Sequence, residues 1–241
     1  MKKLLVALAL LCAPFLALAD DEYTPDEHAW LRAVAPFYNE AKSFGIDSYV
    51  GVVTDAKPGQ SPVSMMYKSD THQCVFVVAA RDNFMSRTID DLLPHAPASV
   101  VRAATIAHEY GHCVIRTMKL NHSLGYELLP NTETPQDERL ADTFALAWYA
   151  RNQPEHYETV QRFFHTLRSK FSDDMHPSLD IIDSLKDLPE RMANKPGTPM
   201  QWAMYLDLGA PMPTDNVSLS ASAASVVAPV ATPAATTVAA N

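Results

Sequence analysis

At 241 residues and a formal net charge of −9, the chain is long enough to bury a real core as one domain, and its acidity argues against nucleic acid or an anionic membrane surface as partner. Its seven glycines form no phosphate-cradling loop, which excludes the common nucleotide-binding fingerprints, and no internal repeat is present. Lys2, Lys3, the apolar run LLVALALLCAPFLALA and the small residues Ala17 and Ala19 read as a signal peptide over 1–19, with cleavage expected after Ala19. The run is too short for a comfortable membrane span, and Leu10-Leu11 ahead of Cys12 is not the small-residue setting of a lipidated cysteine. The expected product is an exported, bacterial-type protein of the periplasm or the medium, with no stable membrane span once the signal is removed. It would comprise one domain over 20–212 and an Ala/Ser/Thr/Val/Pro-rich tail over 213–241, too poor in large apolar residues to order itself.

Within the domain, Thr24-Pro25-Asp26-Glu27 is a capping box with proline at the first helical position. It opens an amphipathic helix ending near Gly45, with Trp30, Leu31, Val34, Phe37, Tyr38 and Ala41 as its core stripe. Residues 48–55, 62–67 and 73–82 are rich in β-branched and aromatic side chains between Pro, Gly, Ser and Asp breaks, and read as three short strands. A link over 83–97 with one helical turn and a surface His95 leads to a long helix starting near Ser99. Thr134-Pro135 starts another helix, and further helices cover 154–171 and 177–188, with Phe163, Phe164 and Leu167 facing inward and His156 and His165 outward. Strands followed by a run of helices give an α+β fold that is mostly α.

The chemistry concentrates in ASVVRAATIAHEYGHCVIRTMKL, residues 98–120. His108 and His112 are four apart, so on a helix their imidazoles share one face and can hold one metal ion, with Glu109 beside it. Two imidazoles, a third protein ligand and an open position are the donor set of a catalytic zinc, and an adjacent carboxylate can take a proton from water attacking a carbonyl. Apolar residues surround the rest of this helix, while Thr105, His108, Glu109, His112 and Arg116 form one polar stripe that must meet a metal, a network or a cleft. On the next helix Glu138 and Asp142 are also four apart. Glu138 can supply an anionic third ligand, and Asp142 can accept the outward N–H of a ligating histidine. The alternative is an acidic first turn favoured by the helix dipole alone. Cys74 and Cys113 can bridge a strand to the histidine helix just beyond His112, or remain two buried thiols.

HEYGH followed by ERLAD resembles the gluzincin group of zinc metallopeptidases, closest to exported bacterial proteins described as metallopeptidases, over residues 98–142. CVIRTM after His112 lacks the glycine and third histidine of the metzincins. The resemblance implies a zincin-like domain with a small sheet ahead of the histidine helix, a Zn²⁺ held by His108, His112 and Glu138, Glu109 as general base and Asp142 in support. It also implies a peptide or protein substrate, bound by strand addition to an edge strand of the sheet, for which QCVFVVAARD is the candidate. A histidine downstream of the Glu helix donates to the oxyanion in several such families, and His176, read as starting a helix after an acidic loop, is the candidate, with helix capping as the alternative; the arginine that follows His-Pro in one related group is replaced here by IIDSL. In the polar loop between the two site helices, His122, Tyr126 and Glu127 are read first as solvated loop residues, with a place at the border of the cleft as the alternative. The competing class is a non-catalytic zinc-containing envelope or secreted binding protein, and a further option is hydrolysis of a non-peptide amide.

Overall fold

A computed structural model describes residues 23–43, 46–55, 57, 59–68, 70–71, 73–120, 134–171 and 173–212. The expected signal segment, the expected tail from 213, and His122, Tyr126 and Glu127 lie outside these. The described elements are α1 (Pro25–Ser43), β1 (Asp47–Val52), β2 (Val63–Lys68), β3 (Gln73–Val78), α2 (Phe84–Asp91), α3 (Ala98–Leu120), α4 (Pro135–Asn152), a 3-10 turn (Pro154–His156), α5 (Tyr157–Lys170), α6 (Leu179–Ser184), α7 (Leu188–Met192) and α8 (Pro199–Leu208). The fold is α+β and mostly α. No helix among the described residues is long and apolar enough to cross a membrane.

Local chemistry explains most boundaries. Thr24 and Glu27 close the expected capping box, the Thr24 N–H donating to Glu27 Oε2 at 2.6 Å and the Glu27 N–H to Thr24 Oγ1 at 3.2 Å. The third strand stops at Val78 because Asp82 adopts a left-handed φ of 51° and Asn83 caps α2 through the Met85 N–H. The single turn expected in this link is therefore an eight-residue helix. The helix expected over 177–188 is instead two short ones, α6 and α7, separated at Leu185–Asp187. Thr198-Pro199-Met200-Gln201 forms a further proline capping box, beside those of α1 and α4, and opens α8.

The sheet order is β1-β3-β2, with β3 parallel to β1 and antiparallel to β2. This corrects the candidate edge strand: QCVFVV is central, paired on both sides, and the edge beside the histidine helix is β2. Register then decides which backbone groups of β2 face β3. The Ala79 N–H donates to Pro62 O, so the backbone groups of Ser64, Met66 and Lys68 point at β3 while those of Val63, Met65 and Tyr67 point away from it.

Trp30, Phe37, Phe76, Ile106, Tyr110, Ile115, Leu140 and Leu146 are among the fully buried side chains that join α1, the sheet, α3 and α4 into one core. Cys74 and Cys113 form a disulfide with Cα atoms 5.8 Å apart, fastening the central strand to α3 one residue after His112. Gly111 lets α3 and α4 touch: a Cβ there would lie 3.1 Å from the Ala141 Cα and 3.1 Å from a Phe144 ring carbon.

Candidate metal centre

Helix α3 places His108 and His112 one turn apart, both buried, with rings edge to face at a centroid distance of 4.7 Å. Helix α4, capped by Thr134 and Asp137 with Pro135 at its start, brings Glu138 opposite them in its first turn. The expected helix start is present and is closed by a capping box, and the acidic turn does more than face the helix dipole. His108 Nε2 and His112 Nε2 are 3.0 Å apart, His108 Nε2 lies 3.2 Å from Glu138 Oε2, and His112 Nε2 lies 3.4 Å from Glu138 Oε1. Ligands of a tetrahedral ion with bonds of about 2.0–2.1 Å sit about 3.3 Å from one another. The three side chains therefore present donor atoms at close to the edge lengths of one coordination tetrahedron, and this buried group can hold a metal ion. Glu138 Oε2 is buried among the imidazole nitrogens and makes no well-formed hydrogen bond among the described residues, an arrangement that suits an ion.

Charge around these groups is strongly coupled. Burial disfavours a charged ring at His108, yet Asp142 and Glu138 outweigh it and raise its pKa to about 10 in the protein alone. Burial likewise opposes ionisation of Glu138, and contacts with His108, His112 and His176 hold its carboxyl far below the usual range. His108 Nδ1–H donates to Asp142 Oδ1 at 2.8 Å, which leaves Nε2 turned toward the centre as expected. His112 Nδ1 is buried and has no partner among the described residues.

Asp142 is itself held from behind by groups that sequence reasoning missed. Arg168 of α5 donates Nε–H to Asp142 Oδ2 and Nη2–H to Oδ1, both at 2.7 Å, and the Ser178 hydroxyl donates to Oδ2. Arg168 is buried with Tyr157, Val160, Gln161 and Phe164 on one face of its helix. Its place at i+4 from Phe164 was a readable signal. It approaches from the helix before His176, in contrast to the arginine after His-Pro expected from the related group.

Glu109 is half-buried, and its Oε2 accepts the Met65 N–H at 2.8 Å, one of the outward groups of edge strand β2. Burial raises its pKa, opposed by the positive character of His108 and His112. His176 does not begin a helix: it lies in a non-helical segment ahead of α6, with Nε2 3.3 Å from Glu138 Oε2. Its Nδ1–H donates to Asp173 Oδ1 at 2.7 Å, and the same oxygen accepts the N–H groups of Met175 and His176. His176 stays outside the mutually close set of three ligands. Thus His108, Glu109, His112, Glu138, Asp142 and His176 converge on one place, and Cys74 and Cys113 brace it. His95, His156 and His165 take no part, and His165 pairs with Asp183 at 3.6 Å instead.

Comparison with family models, with curated proteins and with solved structures finds no match to this chain.

Proposed function

We propose that this protein is an exported, zinc-dependent peptidase with a zincin-like fold. The observation that carries the reading is the carboxylate of Glu109 standing beside three buried ligand atoms at tetrahedral spacing, on the outward edge of β2. His108, His112 and Glu138 would hold the zinc, which when bound acts as a Lewis acid on a carbonyl and makes water a nucleophile near neutral pH. Glu109 takes the proton of the attacking water and passes it to the leaving amine. The rise in its pKa brings its basicity toward that task. His176, its Nδ1–H held by Asp173 and its pKa raised by the Glu138 carboxylate, acts as the imidazolium, whose Nε2–H faces the site and donates to the oxyanion that develops on the carbonyl. Asp142, Arg168 and Ser178 keep His108 in its ligating orientation. An extended substrate pairs along the outward side of β2, at the Met65 C=O. Export is supported by the basic and apolar N-terminus and by a disulfide, which persists in oxidising compartments.

A broad peptide-library digest with zinc-loaded wild type and Glu109→Gln tests the reading. The expected result is cleavage by wild type and a loss of about 10²–10⁴-fold in Glu109→Gln with zinc retained, the usual weight of a general base. Zinc bound in both proteins with no peptide cut by either would reject the enzyme and support a non-catalytic binding protein that keeps zinc as a structural element.

A further inference from the structure

The segment 173–178 carries two groups of the centre, His176 and Ser178, without regular secondary structure to hold them. Asp173 ties the segment to itself, and Ser178 ties its end to Asp142. Between His176 and Ser178 stands Pro177, whose ring leaves its carbonyl as its one backbone hydrogen-bonding group. That carbonyl accepts Arg139 Nη1–H at 2.9 Å. Arg139 follows the ligand Glu138 directly on α4. The same Nη1 donates to Asp180 at the start of α6, and Nε–H donates to Asp207 of α8. The Asp207 side chain is fully buried, and its other oxygen accepts Gln136 Nε2–H at 2.8 Å. One guanidinium thus joins the ligand helix, the His176 segment and the C-terminal helix, using the fixed fork that lysine lacks.

We propose that Arg139, anchored by Asp207, is a positioning residue that sets the place of His176 at the metal centre through the Pro177 carbonyl, making α8 part of the site's framework. The consequence for catalysis rests on the peptidase reading, whereas the geometric claim does not. The buried carboxylate of Asp207 anchors the guanidinium, the exposed Asp180 holds its Nη1, and the carbonyl it then holds is one residue from His176. Neither Arg139 nor Asp207 belongs to the set that would touch metal or substrate.

The test is ring ¹H–¹⁵N NMR of the histidines in folded, zinc-loaded protein without substrate, comparing wild type, Arg139→Gln and Asp207→Asn. Arg151→Gln, which removes an arginine-to-carbonyl bond to Lys195 at the other end of α4, is the control. In wild type the His176 ring nitrogens, read through the carbon-bound ring protons, are expected to give the ¹⁵N signature of an Nδ1–H held by Asp173. Both Arg139→Gln and Asp207→Asn should lose it while the His108 Nδ1–H signal and stoichiometric zinc remain, and Arg151→Gln should retain it. Should Arg139→Gln fail to fold, Asp207→Asn alone decides. A His176 signal unchanged in the folded variants, or lost together with that of His108, would overturn the proposal. In the cleavage assay Arg139→Gln should lower kcat about tenfold at unchanged KM, and it should have no further effect in a His176→Ala background. Absence of any cleavage with the NMR result intact would reject the peptidase reading and leave the positioning claim standing.

Discussion

Gly111→Ala probes the contact on which the ligand geometry depends. In an unencumbered helix interior the substitution would stabilise by about 1 kcal/mol, because glycine is the poorer helix former. Here the new methyl would meet the Ala141 Cα and a Phe144 ring carbon at 3.1 Å and the Ala141 Cβ at 3.3 Å. The first of these is backbone of α4, so the two helices must part by a few tenths of an ångström. Overpacking of this kind costs about 1–3 kcal/mol, and the net expected effect is a loss of about 1 kcal/mol in the metal-free protein. The larger effect falls on the ion. Gly111 precedes His112, and Ala141 lies one turn from Glu138, so the separation opens the ligand triangle by more than the roughly 0.2 Å that a metal site tolerates. Zinc affinity should drop at least about tenfold, worth about 1.4 kcal/mol. Urea unfolding of the metal-free protein and chelator competition for zinc measure the two effects separately. Gly51→Ala, where no atom lies within 4 Å of the added methyl, is the control and should leave zinc affinity unchanged. A Gly111→Ala protein stabilised by the full helix-propensity gain, with wild-type zinc affinity, would refute the close-packing argument.

Replacing both Cys74 and Cys113 by serine opens a closed loop of 39 residues, for which chain entropy gives a destabilisation of about 4 kcal/mol, readable by denaturant unfolding. A loss below about 1 kcal/mol would mean the bridge does not restrain the unfolded chain. Asp142→Asn leaves Arg168 buried without its counter-charge and should cost about 3–5 kcal/mol of stability, together with about 10–100-fold in zinc affinity as His108 loses its support. Isothermal titration at fixed pH would show whether the affinity falls. The raised His108 pKa sets two opposite pH trends. Its folded value of about 10 stands above the ordinary 6.5, so its contribution to metal-free stability is full below pH 6.5 and is lost as pH rises through about 10. Zinc competes with that same proton, and its apparent affinity should therefore rise about tenfold per pH unit over the interval, with about one proton released per ion bound. Equal zinc affinity at pH 7 and pH 9 would contradict the assignment of that proton.

The helices that carry the centre are legible in the sequence because their determinants are local. Four-residue spacing puts His108 over His112 and Glu138 over Asp142, and capping boxes mark the starts of α1 and α4. The Thr198 box is as plain as the Thr24 box, and α8 could have been read from it. Sheet order is a different matter. The three strands are similarly apolar, and nothing within QCVFVV reveals that both its neighbours pair with it, because pairing is decided by crossovers and by packing on α1 and α3. Arg168 shows a middle case: the helical period places it on the face of Phe164, but only the folded chain supplies Asp142 as the partner that makes its burial tolerable. The roles of Asp173, Ser178 and Arg139 rest on a segment without periodicity. They become visible only once α4, α6 and α8 are brought together.

Elemental analysis of the mature protein tests the centre most directly, on wild type beside Glu138→Ala and Glu109→Gln after reconstitution with zinc and removal of excess metal. One zinc per chain in wild type and in Glu109→Gln, and none in Glu138→Ala, is the expected result. No stoichiometric metal in the folded wild type would show that His108, His112 and Glu138 converge for structural reasons alone, and the metallopeptidase reading would fall with it.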